Sequence, residues 1–146
     1  MSHKKQPFII DNNLKNPRIK EYLPRDSKTT VELGLRPNAL DNLDVVDICA
    51  RKAAILVTAD TGFPLHFRDY QKSTNDCCWG LMLLPDGIEK QLNVLQKLKD
   101  GKIKLTHPKL ETFNFESARH DNLFINLRAN PPQIGELCDC KWGDDL

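Results

Sequence analysis

A chain of 146 residues, 40 % hydrophobic and 28 % charged with a net charge of +1, has the length of one domain and the composition of an ordinary globular protein. No apolar run approaches the ~18 residues of a membrane span, and the polar start "MSHKKQPFIID" lacks the apolar core of a secretory signal, so a cytoplasmic protein with no membrane partner is expected. Five cysteines then read as reduced thiols; the adjacent Cys77 and Cys78, and Cys138 and Cys140 around Asp139, lack the spacing of zinc ligands.

The first expected element is a strand at 8–10, "FII", which runs straight into Asp11. Pro17, Pro24, Gly34 and Pro37 break the following region into pieces, with one short helix near 17–23. Residues 1–40 carry eight Lys or Arg against four acids, a balance that suits the phosphates of a polyanion or, for any single lysine, a solvated helix face. After Pro37 and Asn38, "DNLDVVDICARKA" has helical spacing: Leu43, Val46, Ala50 and Ala53 fall on one face, Asp44, Asp47 and Arg51 on another. The i,i+4 spacing makes Asp47 the ion-pair partner of Arg51, and Asp41 and Asp44 both stand where a helix N-terminus favours an acid.

A second strand, 54–58, ends in Thr58, Ala59 and Asp60; "PLHFRDYQK", with His66, Arg68 and Asp69, follows as a loop or short helix. A third strand is expected within "WGLMLL" at 79–84, and the next helix carries Ile88, Leu92, Leu95 and Leu98 as its stripe with Gly101 as its stop. "KIKLT" at 102–106 reads as a fourth strand. Beyond it the alternation ends, leaving a candidate strand in "NLFINLR" and a turn at Pro131 and Pro132; His107, His120 and Trp142 have no assigned partner. The expectation is an α/β three-layer sandwich with a mainly parallel central sheet over residues 1–106, plus an irregular C-terminal extension, 107–146, packing on the domain or on a partner.

The chemistry concentrates where strands end in acids. In an open parallel sheet the carboxyl ends of neighbouring strands share a crevice, so Asp11 and Asp60 meet if their strands are adjacent. The helix carrying Asp44 runs antiparallel to the Asp60 strand, which returns its start to the same end and makes Asp44 the third acid. Each has a plainer reading: Asp11 and Asp60 as turn residues bonding backbone amides, Asp44 as a cap. Three converging carboxylates repel unless neutralised, and hard oxygen ligands suit Mg2+ or Mn2+ with substrate phosphates completing the shell. Thr58 is placed to orient Asp60 through its hydroxyl, and Arg68 to touch phosphate, with a surface ion pair as its alternative. Trp79 opens a strand and reads as core rather than as a base-stacking residue.

"FIIDNNL", "DVVDICARKAAILVTADTGF" and "GLMLLP" together resemble the PIN-like nuclease domains, particularly the compact branch, over roughly residues 7–100. The resemblance pairs Asp11 and Asn13 with the family's Asp-x-Asn, Asp44 with its helix acid, and Thr58 with Asp60 with its Thr-x-Asp. It implies a metal-dependent endoribonuclease cleaving single-stranded RNA, with Asp11, Asp44 and Asp60 as Mg2+ or Mn2+ ligands and Asn13 and Thr58 beside the substrate, to which the residue reading adds Arg68. It also implies a toxin of a toxin–antitoxin pair as one biological setting, with an antitoxin protein or a second copy as partner. The chain departs from the pattern at Gly62, where the family often has an Asp before the Phe, and Glu32 is only a loose match for a further family acid. Those departures favour the rival reading, a catalytically silent PIN-like module that binds RNA or protein. A phosphoacceptor receiver is disfavoured, because "GLMLLPDG" supplies no lysine after its strand.

Overall fold

The structure, a computed structural model, describes residues 7–12, 14, 16–34, 42–74, 80–105 and 122–138. Asn13, Pro37, Asn38, Asp41, Cys77, Cys78, Trp79, Thr106, His107, His120, Cys140, Trp142 and the Leu43 side chain lie outside them. One six-stranded sheet runs β2-β1-β3-β4-β5-β6, with β1 at Phe8–Ile10, β2 at Lys28–Thr29, β3 at Ile55–Thr58, β4 at Gly80–Leu83, β5 at Leu123–Asn126 and β6 at Gln133–Glu136. The first five are parallel and β6 is antiparallel to β5. This is a doubly wound order whose direction reverses between β1 and β3.

The continuous apolar runs of β1, β3 and β4 are buried on both faces, and their alternation sorts the side chains into two cores. Phe8, Ile10, Ile55, Val57, Met82 and Ile125 turn to one face, where they meet Leu95 and Leu98 of α3 (Ile88–Lys99) and Ile19 of a 3-10 helix, Pro17–Tyr22. Ile9, Leu56 and Leu81 turn to the other, against Val45, Val46 and Cys49 of α1 (Asn42–Lys52) and Phe63 and Phe67 of α2 (Phe63–Thr74). The result is the expected three-layer α/β architecture. Each fully buried Leu or Ile stabilises it by ~1.5–3 kcal/mol. No helix among the described residues is long and apolar enough to cross a membrane.

Several expectations change. The short helix near 17–23 is 3-10 in type: Asn16 caps it by accepting the Arg18 N–H at 2.9 Å, and Pro17 opens it. Residues 102–105 are not a strand. Gly101 takes φ +76°, and the Lys102 and Ile103 amides fold back onto the Lys97 carbonyl, so the segment leaves α3 as a turn and buries only Leu105. The place beside β4 is taken by β5, from "NLFINLR", and β6 follows it after a turn containing the cis Asn130–Pro131 bond; the sheet thus continues into the 107–146 region. The "PLHFRDYQK" segment belongs to a twelve-residue helix, α2. On α3, Ile88 is exposed, and Gln91 is buried in the first turns with its amide donating to the Pro85 carbonyl. Ala53, predicted on the apolar face of α1, sits beyond the helix end at φ 51°.

Candidate functional site

The register aligns the carboxyl ends of the strands: Ile10 stands opposite Val57 and Thr29, and Thr58 opposite Leu83. Asp11 therefore leaves β1 beside the last residues of β3. Its amide continues the ladder to the Val57 carbonyl at 2.9 Å, and its side chain, 4 % exposed, turns inward. There the Thr58 hydroxyl donates to Asp11 Oδ2 at 2.7 Å. The same hydroxyl oxygen accepts the Asp60 backbone N–H at 3.0 Å. A single buried side chain at the end of β3 fixes one acid by its carboxylate and the other by its backbone.

Asp60 is half-buried, and its Oδ1 accepts the Gly62 N–H at 2.8 Å, so the plainer turn-forming role expected of it is present. That turn delivers the chain to Phe63 and α2. Gly62 carries no φ in the left-handed region; its significance is the space it leaves. A Cβ there would lie 3.2 Å from Asp60 Oδ1 and 3.5 Å from His66 Nε2, so the carboxylate and the imidazole flank the same bare Cα. His66 also rests edge-on against Phe63, with ring centroids 5.7 Å apart. His66 stands one turn into α2, four residues after Gly62, a spacing that brings it back beside the turn and that the sequence carries only once the helix is known.

On the β2 side of Asp11 a cavity of about 640 Å3 opens, walled by Asp11, Asn12, Asn16, Lys20, Thr29 and Glu32. Glu32, the loose match for a further acid, is committed: it accepts from Lys20 Nζ at 2.8 Å and from the Thr29 amide at 3.0 Å. The Lys20 hydrogen bond, then the Thr29 amide, hold its carboxyl down at about 2. On the other side, Cys49 of α1 is fully buried; desolvation, and then the Asp11 charge, push its thiol up, which makes it an inert core residue.

The remaining predicted residues behave differently. Asp44 is exposed in the first turn of α1, and among the described residues no three His, Cys, Asp or Glu side chains gather as a metal-holding group. The expected three-carboxylate convergence is thus not assembled; a helix start beside a strand end fixes the layer, not the side-chain reach. Arg68 donates from Nε to the Leu137 carbonyl at 3.0 Å, tying α2 to the segment after β6. Asp47 pairs with Arg51 at 3.1 Å, as its spacing predicts, and also accepts the Tyr70 hydroxyl at 2.9 Å, linking α1 to α2.

Comparison of the chain with protein-family models, with curated proteins and with solved structures gives no match.

Proposed function

We propose that the chain is a PIN-like domain acting as a Mg2+- or Mn2+-dependent endoribonuclease on single-stranded RNA, with Asp11 and Asp60 as the metal-holding pair. The observation that carries this reading is the Thr58 hydroxyl, which binds the Asp11 carboxylate and the Asp60 backbone together at the reversal point of the sheet. Ligands of doubly wound sheets bind at that point. Two carboxylates fall short of a closed cage, but they fit magnesium, which commonly takes one or two together with water and substrate phosphate. Bound there, the ion supplies positive charge against the scissile phosphate and activates water.

The chain's own residues do the positioning. Thr58 locks the Asp11 carboxylate inward, and the bond from the Gly62 amide engages Oδ1 of Asp60 and not Oδ2. Asn12, Asn16 and Lys20 offer donors along the adjoining cavity wall for phosphate and ribose oxygens. The silent-module reading rests on Gly62 and on the exposed Asp44, which leave the pair without a third described acid. The phosphoacceptor alternative loses further support at β5, where the one cation following the strand among the described residues, Arg128, is spanned by Asp86 at 2.9 and 3.0 Å.

The test is cleavage of a labelled single-stranded RNA in Mn2+. Cleavage by the wild type that stops with chelator and in Asp60→Asn supports the enzyme; cleavage indifferent to both removes the pair from the chemistry, and no cleavage at all selects the silent module.

A further inference from the structure

A second cavity, of about 520 Å3, lies between α3 and the β5–β6 turn, away from the aspartates. Lys90, Lys97 and Lys102 line it together with the apolar Val94 and Ile103 and with Asn130. Among the described residues no acidic side chain lines it. In a chain of net charge +1 such a segregation is local and is not inherited from the whole molecule.

The three cations are available. Lys90 acts on the Asp86 charge, but Asp86 already binds the Arg128 guanidinium through both oxygens, which leaves the lysine as surplus charge. Among the described residues neither Lys97 nor Lys102 has an ion-pair partner. Both line the cavity, and their backbones are held together, the Lys102 amide donating to the Lys97 carbonyl at 2.8 Å. Lys90 stands two helical turns away, about 10 Å along α3.

We propose that this groove is a binding track for the backbone of single-stranded nucleic acid. Cations about 10 Å apart along α3, lining one groove, match successive phosphates of one strand better than any single small anion. The apolar part of the lining, Val94 and Ile103, gives riboses and base faces a surface that water does not favour. Asn126 of β5 aligns through Leu83 with Thr58, two strand spacings or about 10 Å away, so the β5–β6 turn that bears Asn130 leaves the same edge of the sheet as Thr58. The preference for RNA as occupant rests on the ribonuclease reading; the groove's affinity for phosphates does not.

The experiment is fluorescence anisotropy of a short labelled RNA, and of DNA of the same sequence, in EDTA, over a range of salt. It compares wild type, Lys90→Gln/Lys97→Gln/Lys102→Gln, and a charge-matched control, Arg25→Gln/Lys52→Gln/Lys72→Gln, whose residues are exposed and scattered elsewhere. The groove variant is expected to bind about tenfold more weakly or worse, with the salt slope smaller by about 2, since each lost phosphate contact on a single strand removes ~0.7. The control is expected to keep most of its affinity. Equal losses in both variants, an unchanged groove variant, or a wild type that binds neither strand would overturn the proposal. RNA and DNA binding equally would confine the groove to phosphate recognition, while tighter RNA binding would add ribose contacts. Because chelator is present throughout, a protein that binds through the groove yet never cleaves in Mn2+ would sink the enzyme reading alone.

Discussion

Replacing Thr58 with Val isolates the contact on which the site depends. Valine keeps the branched shape that β3 buries completely, so packing and strand preference change little, and the loss is the hydroxyl. Two hydrogen bonds go with it: the 2.7 Å donation to the Asp11 carboxylate and the 3.0 Å acceptance from the Asp60 amide. The first is charge-assisted and buried, worth ~1.5–3 kcal/mol, and the second is neutral, worth ~0.5–1.5 kcal/mol. The expected destabilisation is ~2–4 kcal/mol, a fall of ~5–15 °C in Tm for a domain of this size. Urea unfolding of wild type, Thr58→Val, Asp11→Ala and the double variant reads it, with an expected coupling above ~1 kcal/mol because the two side chains act as one unit. Thr58→Val within ~0.5 kcal/mol of wild type, or strictly additive losses, would show that the hydroxyl does not hold Asp11.

Gly62→Asp is expected to tighten Mn2+ binding while lowering the metal-free stability by about 1 kcal/mol, since its Cβ would come within 3.2 Å of Asp60 Oδ1 and add a like charge; melts with and without Mn2+ check both signs. Glu32→Gln tests the Lys20 pair through pH. The wild-type carboxyl, lowered from 4.5 to about 2, stabilises the fold fully above pH 4.5 and ceases to do so as pH falls through 2, so the Tm gap between variant and wild type should close across that window. A gap independent of pH would contradict the pair. Ala53→Gly is expected to raise stability by ~1 kcal/mol, because alanine there ends α1 at φ 51°, where glycine carries no Cβ penalty; an unchanged or lowered urea midpoint would show that the position is not strained.

The elements that the sequence disclosed are those whose period decides their burial. β1, β3 and β4 are unbroken apolar runs, and α1 and α3 bury residues such as Val46, Ala50, Leu95 and Leu98 at helical spacing. Once those strands are parallel neighbours, Asp11 and Asp60 fall at the same edge. Thr58 was legible for the same reason, as a hydroxyl at a strand end with an amide two residues on. What escaped depends on long-range geometry. β2 is two residues long, with Lys28 exposed, and β6 alternates no apolar face; both exist because a neighbouring edge offers hydrogen bonds. "KIKLT" imitates strand alternation, yet Gly101 turns it aside. The Arg68 bond to the Leu137 carbonyl joins residues 69 positions apart, which no local pattern encodes. Asp44 illustrates the opposite error: its turn of helix was predicted correctly, but its carboxylate stays exposed.

The most direct test of the metal pair is calorimetric titration of Mn2+ into wild type, Asp11→Asn and Asp60→Asn, each checked for folding by circular dichroism. A single site in the wild type, lost or weakened at least tenfold in both variants, is the expected result. Heats that are equal and weak in all three folded proteins would contradict it.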